Sequence, residues 1–254
     1  MIFCDPELAG PDQRAAAPDG YCGEGEEGLV MATAQRQLKN MARLGSQRSY
    51  VYGFLATIYR KEMTPELLDQ LRDPQFLEAM VGIGIHVGER FSTLSKKSLV
   101  DNLALEYTRL FLGPGRHVSP HESVHFAKDG GKWDSLWGES TVEVKRLIES
   151  LGLRFKEDDS SIPDHVSVEM ELMQKITERE SQAWAEEDKE GALNCLSVEK
   201  RFLEEHLCKW IPRFYERVAA QADFKFYREI AKLTMDFVEF EKESVDSYIN
   251  LGAQ

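Results

Sequence analysis

Apolar residues recur along this chain in steps of three and four, the spacing that lines one face of an α-helix. Leu99, Leu103, Tyr107, Leu110 and Phe111 keep that step, and Gly113-Pro114-Gly115 then stops it. Glycine accepts a left-handed helix exit, and proline cannot continue the hydrogen-bond ladder. Upstream, a helix is expected from Ala34 to about Lys61, with Leu38, Met41, Tyr52, Leu55, Ile58 and Tyr59 inward and Gly45-Ser46 as an interruption. Thr64-Pro65 and Asp73-Pro74 each read as an N-cap followed by proline in the first turn, and Ser95 opens the helix that ends at Gly113. Ser140 and Glu143 match a capping box for the helix ending at Gly152. A long helix is expected from Asp164 through Val166, Met170, Met173, Ile176 and Trp184. Another carries Leu196, Phe202, Leu203, Leu207, Trp210, Phe214 and Val218, with a kink or a break at Pro212, and a last one carries Phe226, Tyr227, Ile230, Leu233, Phe237 and Val238. No stretch alternates as a strand would, and no fixed-period repeat marks a solenoid. The pattern predicts an all-α fold, a single compact bundle of about ten helices.

Residues 1–33 break the pattern. They are rich in Gly, Pro, Ala and acids, with Arg14 as the lone basic residue, and are expected as a flexible acidic arm ahead of a helical domain over 34–254. Met31 and Met41 both stand where a shorter protein could begin. The formal charge of the whole chain is -13, which argues against nucleic acid or an anionic membrane and permits a cationic partner. Cys4, Cys22, Cys195 and Cys208 form no CxxC pair, so reduced thiols are the expectation. The N-terminus has no basic segment followed by an apolar core, and no run approaches the roughly 20 apolar residues of a membrane span. A cytoplasmic location is expected.

The candidate chemistry gathers after Phe111, where Arg116, His117, Pro120, His121, Glu122 and Ser123 make a polar loop fed by an aromatic helix. Long loops in helical chains are more often binding surfaces than connectors. His117, His121 and His125 stand four residues apart, a zinc-compatible spacing on a continuous helix. Pro120 and the upstream Gly-Pro-Gly argue against such a helix, so solvent-facing or hydrogen-bonded loop histidines are the better reading and no metal or other cofactor is expected. Asp164-His165 follows Pro163 at a helix start, where an aspartate caps backbone N–H groups or His165 offers a polar contact to a ligand. Trp133 and Trp137 lie in a glycine-flanked segment, and Glu157, Asp158, Asp159, Glu169 and Glu171 surround Asp164 in sequence. Aromatic faces beside acids suit guanidinium groups. The sequence carries no GxSxG elbow, P-loop or GxGxxG, so nothing argues for an enzyme.

EYTRLFLGPG, PHES, LWGESTVEVKRLIESLGL, IPDHVSVEMELM, FLEEHLCKWIPRFYE and FYREIAKLTMDF, in that order from about Arg48 to Val238, resemble the TorD/DmsD/NarJ family of chaperones for molybdenum-containing oxidoreductases. The resemblance implies an all-helical fold, no catalysis, and binding of the twin-arginine leader and apo form of a client catalytic subunit until its cofactor is inserted. Carried onto this chain, the signature loop falls on Tyr107, Phe111, Gly113, Pro114, Gly115, Pro120, Glu122 and Ser123. The leader-recognition element falls on Pro163, Asp164 and His165, with Trp137 and Gly138 between the two and Glu169 beside them. The partner expected is a molybdopterin-containing catalytic subunit with its leader peptide, met by a monomer or a swapped dimer. Two other readings stand beside it: a small metal-dependent hydrolytic enzyme using His117, His121, Asp164 and His165, and a structural assembly subunit. The acidic arm is also expected to compete for the cationic-peptide site.

Overall fold

The computed structural model describes residues 2–4, 26–113, 117–126, 137–155 and 161–253. The helices are α1 (Glu26–Arg60), α2 (Pro65–Leu71), α3 (Pro74–Gly82), α4 (Glu89–Thr93), α5 (Lys96–Tyr107), α6 (Glu139–Ser150), α7 (Val166–Ala185), α8 (Lys189–Phe202), α9 (Cys208–Gln221) and α10 (Lys225–Ala253). Five-residue π-helical turns extend α5 (Thr108–Leu112) and link α8 to α9 (Leu203–Leu207), and a short 3-10 turn covers Glu122–His125. The caps read from sequence form at three starts. Thr64 accepts from Leu67 N, Asp73 from Gln75 N and Phe76 N, and Ser95 from Ser98 N.

α7 is the central helix: Val166 to Met173 are all buried, so it is walled in around its first two turns. Its most extensive partner is α1, whose Tyr52, Leu55, Ala56 and Tyr59 form one buried stripe. The two helices approach closely at Gly45 and Gly53. A Cβ at those positions would stand 2.9 Å from Glu180 Oε2 and 2.8 Å from Gln174 Nε2. Gly45 therefore sits inside α1 without interrupting it. One turn on, the buried Arg48 reaches three other helices, donating Nη1 to Glu180 of α7 (2.8 Å), Nε to Glu241 of α10 (2.7 Å) and Nη2 to Glu199 of α8. Burial pushes the Glu199 carboxyl up to about 8, with the Glu180 and Glu241 charges adding to burial and Arg48 opposing it.

Several local expectations are corrected. Gly113 is extended (φ -69°), not left-handed; a Cβ there would meet Thr108 O at 3.2 Å, so close approach to the π turn is the reason for glycine. Ser140 does not form the capping box, because α6 starts at Glu139 behind a Gly138 N-cap and Ser140 is turned inward. The break expected at Pro212 falls about two turns earlier, at the π turn, while Pro212 lies inside α9. Strands were not expected, yet Ile2–Cys4 (β1) pairs antiparallel with Leu153–Phe155 (β2). That pairing and the start of α1 at Glu26 place two elements within the stretch read as an arm.

Candidate functional site

Two corners of the chain are stitched together by backbone. His121 and His165 form an isolated antiparallel bridge, with Glu122 N donating to Asp164 O (2.9 Å) and Val166 N to Pro120 O (2.8 Å). Val118 N also donates to Leu110 O (2.7 Å), which ties the loop back to the π turn. The expected capping role moves by one residue. His165 is the N-cap of α7, its Nδ1 accepting from Ser167 N at 3.1 Å, while Asp164 Oδ2 accepts from Ser123 N at 2.9 Å. Asp164 is thus a clamp between the corners, with no exposed surface.

The electrostatics follow from burial. Burial alone would raise the Asp164 carboxyl; the neighbouring His121 ring and the Ser123 contacts outweigh it and hold the group at about 2. His121 Nδ1 faces Asp164 Oδ1 at 3.8 Å, too long for a direct hydrogen bond, so its influence is electrostatic. Burial and then the His121 ring lower His165 to about 3, so it is neutral at physiological pH. Glu122, also buried, meets His206 Nδ1 at 2.9 Å. Glu169 accepts from Trp210 Nε1 (2.9 Å), and burial, reinforced by Glu122 and Asp164, pushes its carboxyl well up. Among the described residues, Asp164 Oδ1, His121 Nδ1, Ser123 Oγ and Glu169 Oε1 are buried polar atoms with no hydrogen-bond partner.

The stitched corner opens onto a cleft of about 410 Å³ lined by Arg60, Lys61, Glu62, Met63, Thr64, Tyr107, Leu112 and His165. A second cleft of about 420 Å³, between α6 and the α8–α9 junction, is lined by Glu143, Arg146, Leu147, Ser150, Arg201, Phe202, Glu205 and His206. Each therefore includes a residue of a π turn, Leu112 in one and Glu205 and His206 in the other, as functional clefts often do.

The candidates read from sequence divide accordingly. Tyr107 and His165 line the first cleft. Phe111 lies in an aromatic core with Tyr59, Tyr107, Phe214 and Tyr227, and Pro120, Glu122, Ser123, Pro163, Asp164 and Glu169 are buried around the stitch. Trp137 is 62% exposed with φ +69°, and Gly138 caps α6, which contacts the Glu122–His125 turn. Pro114, Gly115, Arg116, Trp133 and the acids Glu157 to Asp159 lie outside the described residues. The three histidines do not gather. His117 is exposed, His121 is in the bridge, and His125 is buried with Nε2 on Ser119 O (2.7 Å), lowered to about 4 chiefly by burial. No group of three metal-capable side chains occurs among the described residues. Burial also pushes the Cys195 and Cys208 thiols up to about 11, so both stay protonated.

Sequence reading missed the rim residues Arg60, Lys61, Glu62 and Leu112. Their signal was the α1–α2 break at Thr64-Pro65, which opens one wall of the cleft. Glu62 is exposed and accepts from Thr108 Oγ1, whereas Arg60 is paired with Glu171 at 2.6 Å.

The described residues thus form a helical bundle with one short two-stranded ribbon, its loop corners stitched beside an open cleft. The family model of the nitrate reductase delta subunit matches residues 62–216. Curated relatives include the chaperone protein TorD of Vibrio atlanticus, 21% identical over 219 residues, covering 81% of this chain and 98% of that protein. The TorD proteins of Vibrio cholerae (22%, 82% of this chain, 96% of theirs) and Shewanella loihica (24%, 78% and 92%) match similarly. The chain belongs to the nitrate reductase delta subunit family, the TorD/DmsD/NarJ group of molybdoenzyme maturation chaperones.

Proposed function

We propose that this protein is a cytoplasmic, system-specific chaperone. It binds the leader and apo form of one molybdenum-cofactor catalytic subunit and holds it for cofactor insertion before export. The observation that carries this reading is the stitched corner beside the cleft: Asp164 and the His121–His165 bridge fix one wall, and Tyr107, Leu112 and His165 offer an apolar and aromatic surface. A volume of a few hundred cubic ångströms suits a few side chains of an extended peptide. Arginine recognition falls to the exposed Glu62 rather than to Asp164, Glu122 or Glu169, because a guanidinium needs a carboxylate it can reach. The net charge of -13 would speed encounter with a basic leader at low salt.

The test is titration calorimetry with synthetic twin-arginine leader peptides of the molybdopterin-binding catalytic subunits encoded in the same genome. Micromolar or tighter binding is expected, weakened at least fivefold in His165→Ala and Glu62→Gln, and weakened in Asp164→Ala through loss of the clamp. Affinity unchanged in all three would remove the cleft as the leader site.

A further inference from the structure

Ile2–Cys4 runs antiparallel to β2, with Ile2 opposite Phe155, Phe3 opposite Arg154 and Cys4 opposite Leu153. β2 leaves α6 through Gly152 (φ +65°), buries Leu153, and stands ten to twelve residues before His165 in sequence. β1 also contacts α7, the helix that His165 caps. Stripped of β1, the three residues of β2 would present an open row of backbone donors and acceptors, a template for any extended chain. The ribbon is of the shortest kind, and two short strands alone are marginal in water. β1 belongs to the same chain as β2, so its pairing is intramolecular and is favoured over that of a separate peptide of equal intrinsic affinity. A segment held that way fills the edge at rest and yields to a competitor of moderate affinity.

We propose that the edge of β2 is a strand-addition site for an extended segment of the client polypeptide, and that Ile2–Cys4 is the chain's own resting occupant. Backbone pairing supplies the affinity in this mode and tolerates varied side chains, as capture of an unfolded apoprotein requires. Among the described residues, the N-terminal segment pairs through Ile2–Cys4 with β2. The identity of the displacing segment rests on the chaperone reading, while the edge and its occupant do not.

Full-length wild type and Phe3→Pro test it, since proline removes a backbone N–H and locks φ at about −65°, away from the roughly −140° of an antiparallel strand. Hydrogen exchange at the Leu153–Phe155 amides should be at least tenfold faster in Phe3→Pro. A fluorescent peptide of residues 1–8 should bind Phe3→Pro at least tenfold more tightly than wild type and restore that protection. Equal exchange in the two proteins, or equal peptide affinity, overturns the edge site. Overlapping peptides from the molybdopterin-binding catalytic subunits encoded in the same genome should include one that displaces the labelled peptide; none doing so overturns the client as occupant. A leader that binds through His165 while the 1–8 peptide does not discriminate Phe3→Pro would leave the chaperone reading standing and sink this one alone. The reverse pattern would do the opposite.

Discussion

Asp164→Asn removes a charge from the stitched corner without changing its size, and an amide oxygen can still accept from Ser123 N. The Asp164 carboxyl is held at about 2 against an ordinary 3.8, and it has no exposed surface that would let solvent screen the effect. A shift of nearly two units corresponds to about 2 kcal/mol of native-state preference for the ionised form. The sign follows from the direction. A carboxyl lowered on folding contributes stability fully above its unfolded value, and that contribution is lost as pH falls from about 4 through about 2. Urea unfolding of the two proteins at pH 7, followed by far-UV circular dichroism, should therefore separate them by about 2 kcal/mol. The gap should shrink to about half by pH 3. The Ser123 amide should also exchange faster in the variant. Equal stability at pH 7, or a gap that does not close with acid, would refute the clamp as an electrostatic one.

The four-helix junction at Arg48 gives two further expectations. Arg48→Met strands three buried carboxylates without their cation and should lower stability by about 3–5 kcal/mol in the same urea assay. Glu199, raised to about 8 by burial, contributes stability that is present below its ordinary value of 4.5 and lost as pH rises through 8. Glu199→Gln should accordingly flatten the decline in melting temperature between pH 5 and 8, and a variant that declines as wild type does would remove Glu199 as its source. Trp137 is exposed and holds φ +69°, so Trp137→Gly should relieve about 1 kcal/mol of backbone strain. Its melting temperature should hold or rise while client binding weakens; a clear fall in melting temperature would show that the indole is structural.

Helix existence and the inward faces were legible because burial of an amphipathic stripe imposes a period that survives any tertiary context. Tyr52, Leu55 and Tyr59, or Trp210, Phe214 and Val218, are buried as their spacing requires. Caps were legible where one side chain closes on its own helix, as at Thr64 and Asp73. The same logic failed at Asp164, whose acceptor turns to a segment 41 residues upstream instead of the next turn. The Arg48 junction was invisible for a related reason. Its partners lie 132, 151 and 193 residues away, and a lone arginine on a helix face looks like any solvated charge. The π turns left no pattern, since one extra residue per turn barely disturbs an apolar period.

The placement of the signature residues separates two jobs that a motif merges. Asp164, Glu122 and Glu169 sit inside, each placing one carboxylate oxygen on Ser123 N, His206 or Trp210, so they set where the walls stand and not what the walls touch. On the proposed reading contact chemistry would lie with Glu62, Lys61, Leu112 and His165, two of which, Glu62 and Lys61, fall outside the quoted family segments. A scaffold built in this way can exchange clients by changing rim residues while its stitching stays fixed. Client preference should follow substitutions at Glu62, Lys61 and Leu112, and stability should follow those at Asp164 and Glu122. Grafting the rim of one family member onto another, with leader affinity measured for both clients, separates the two. Preference that stays with the scaffold despite an exchanged rim would place recognition elsewhere.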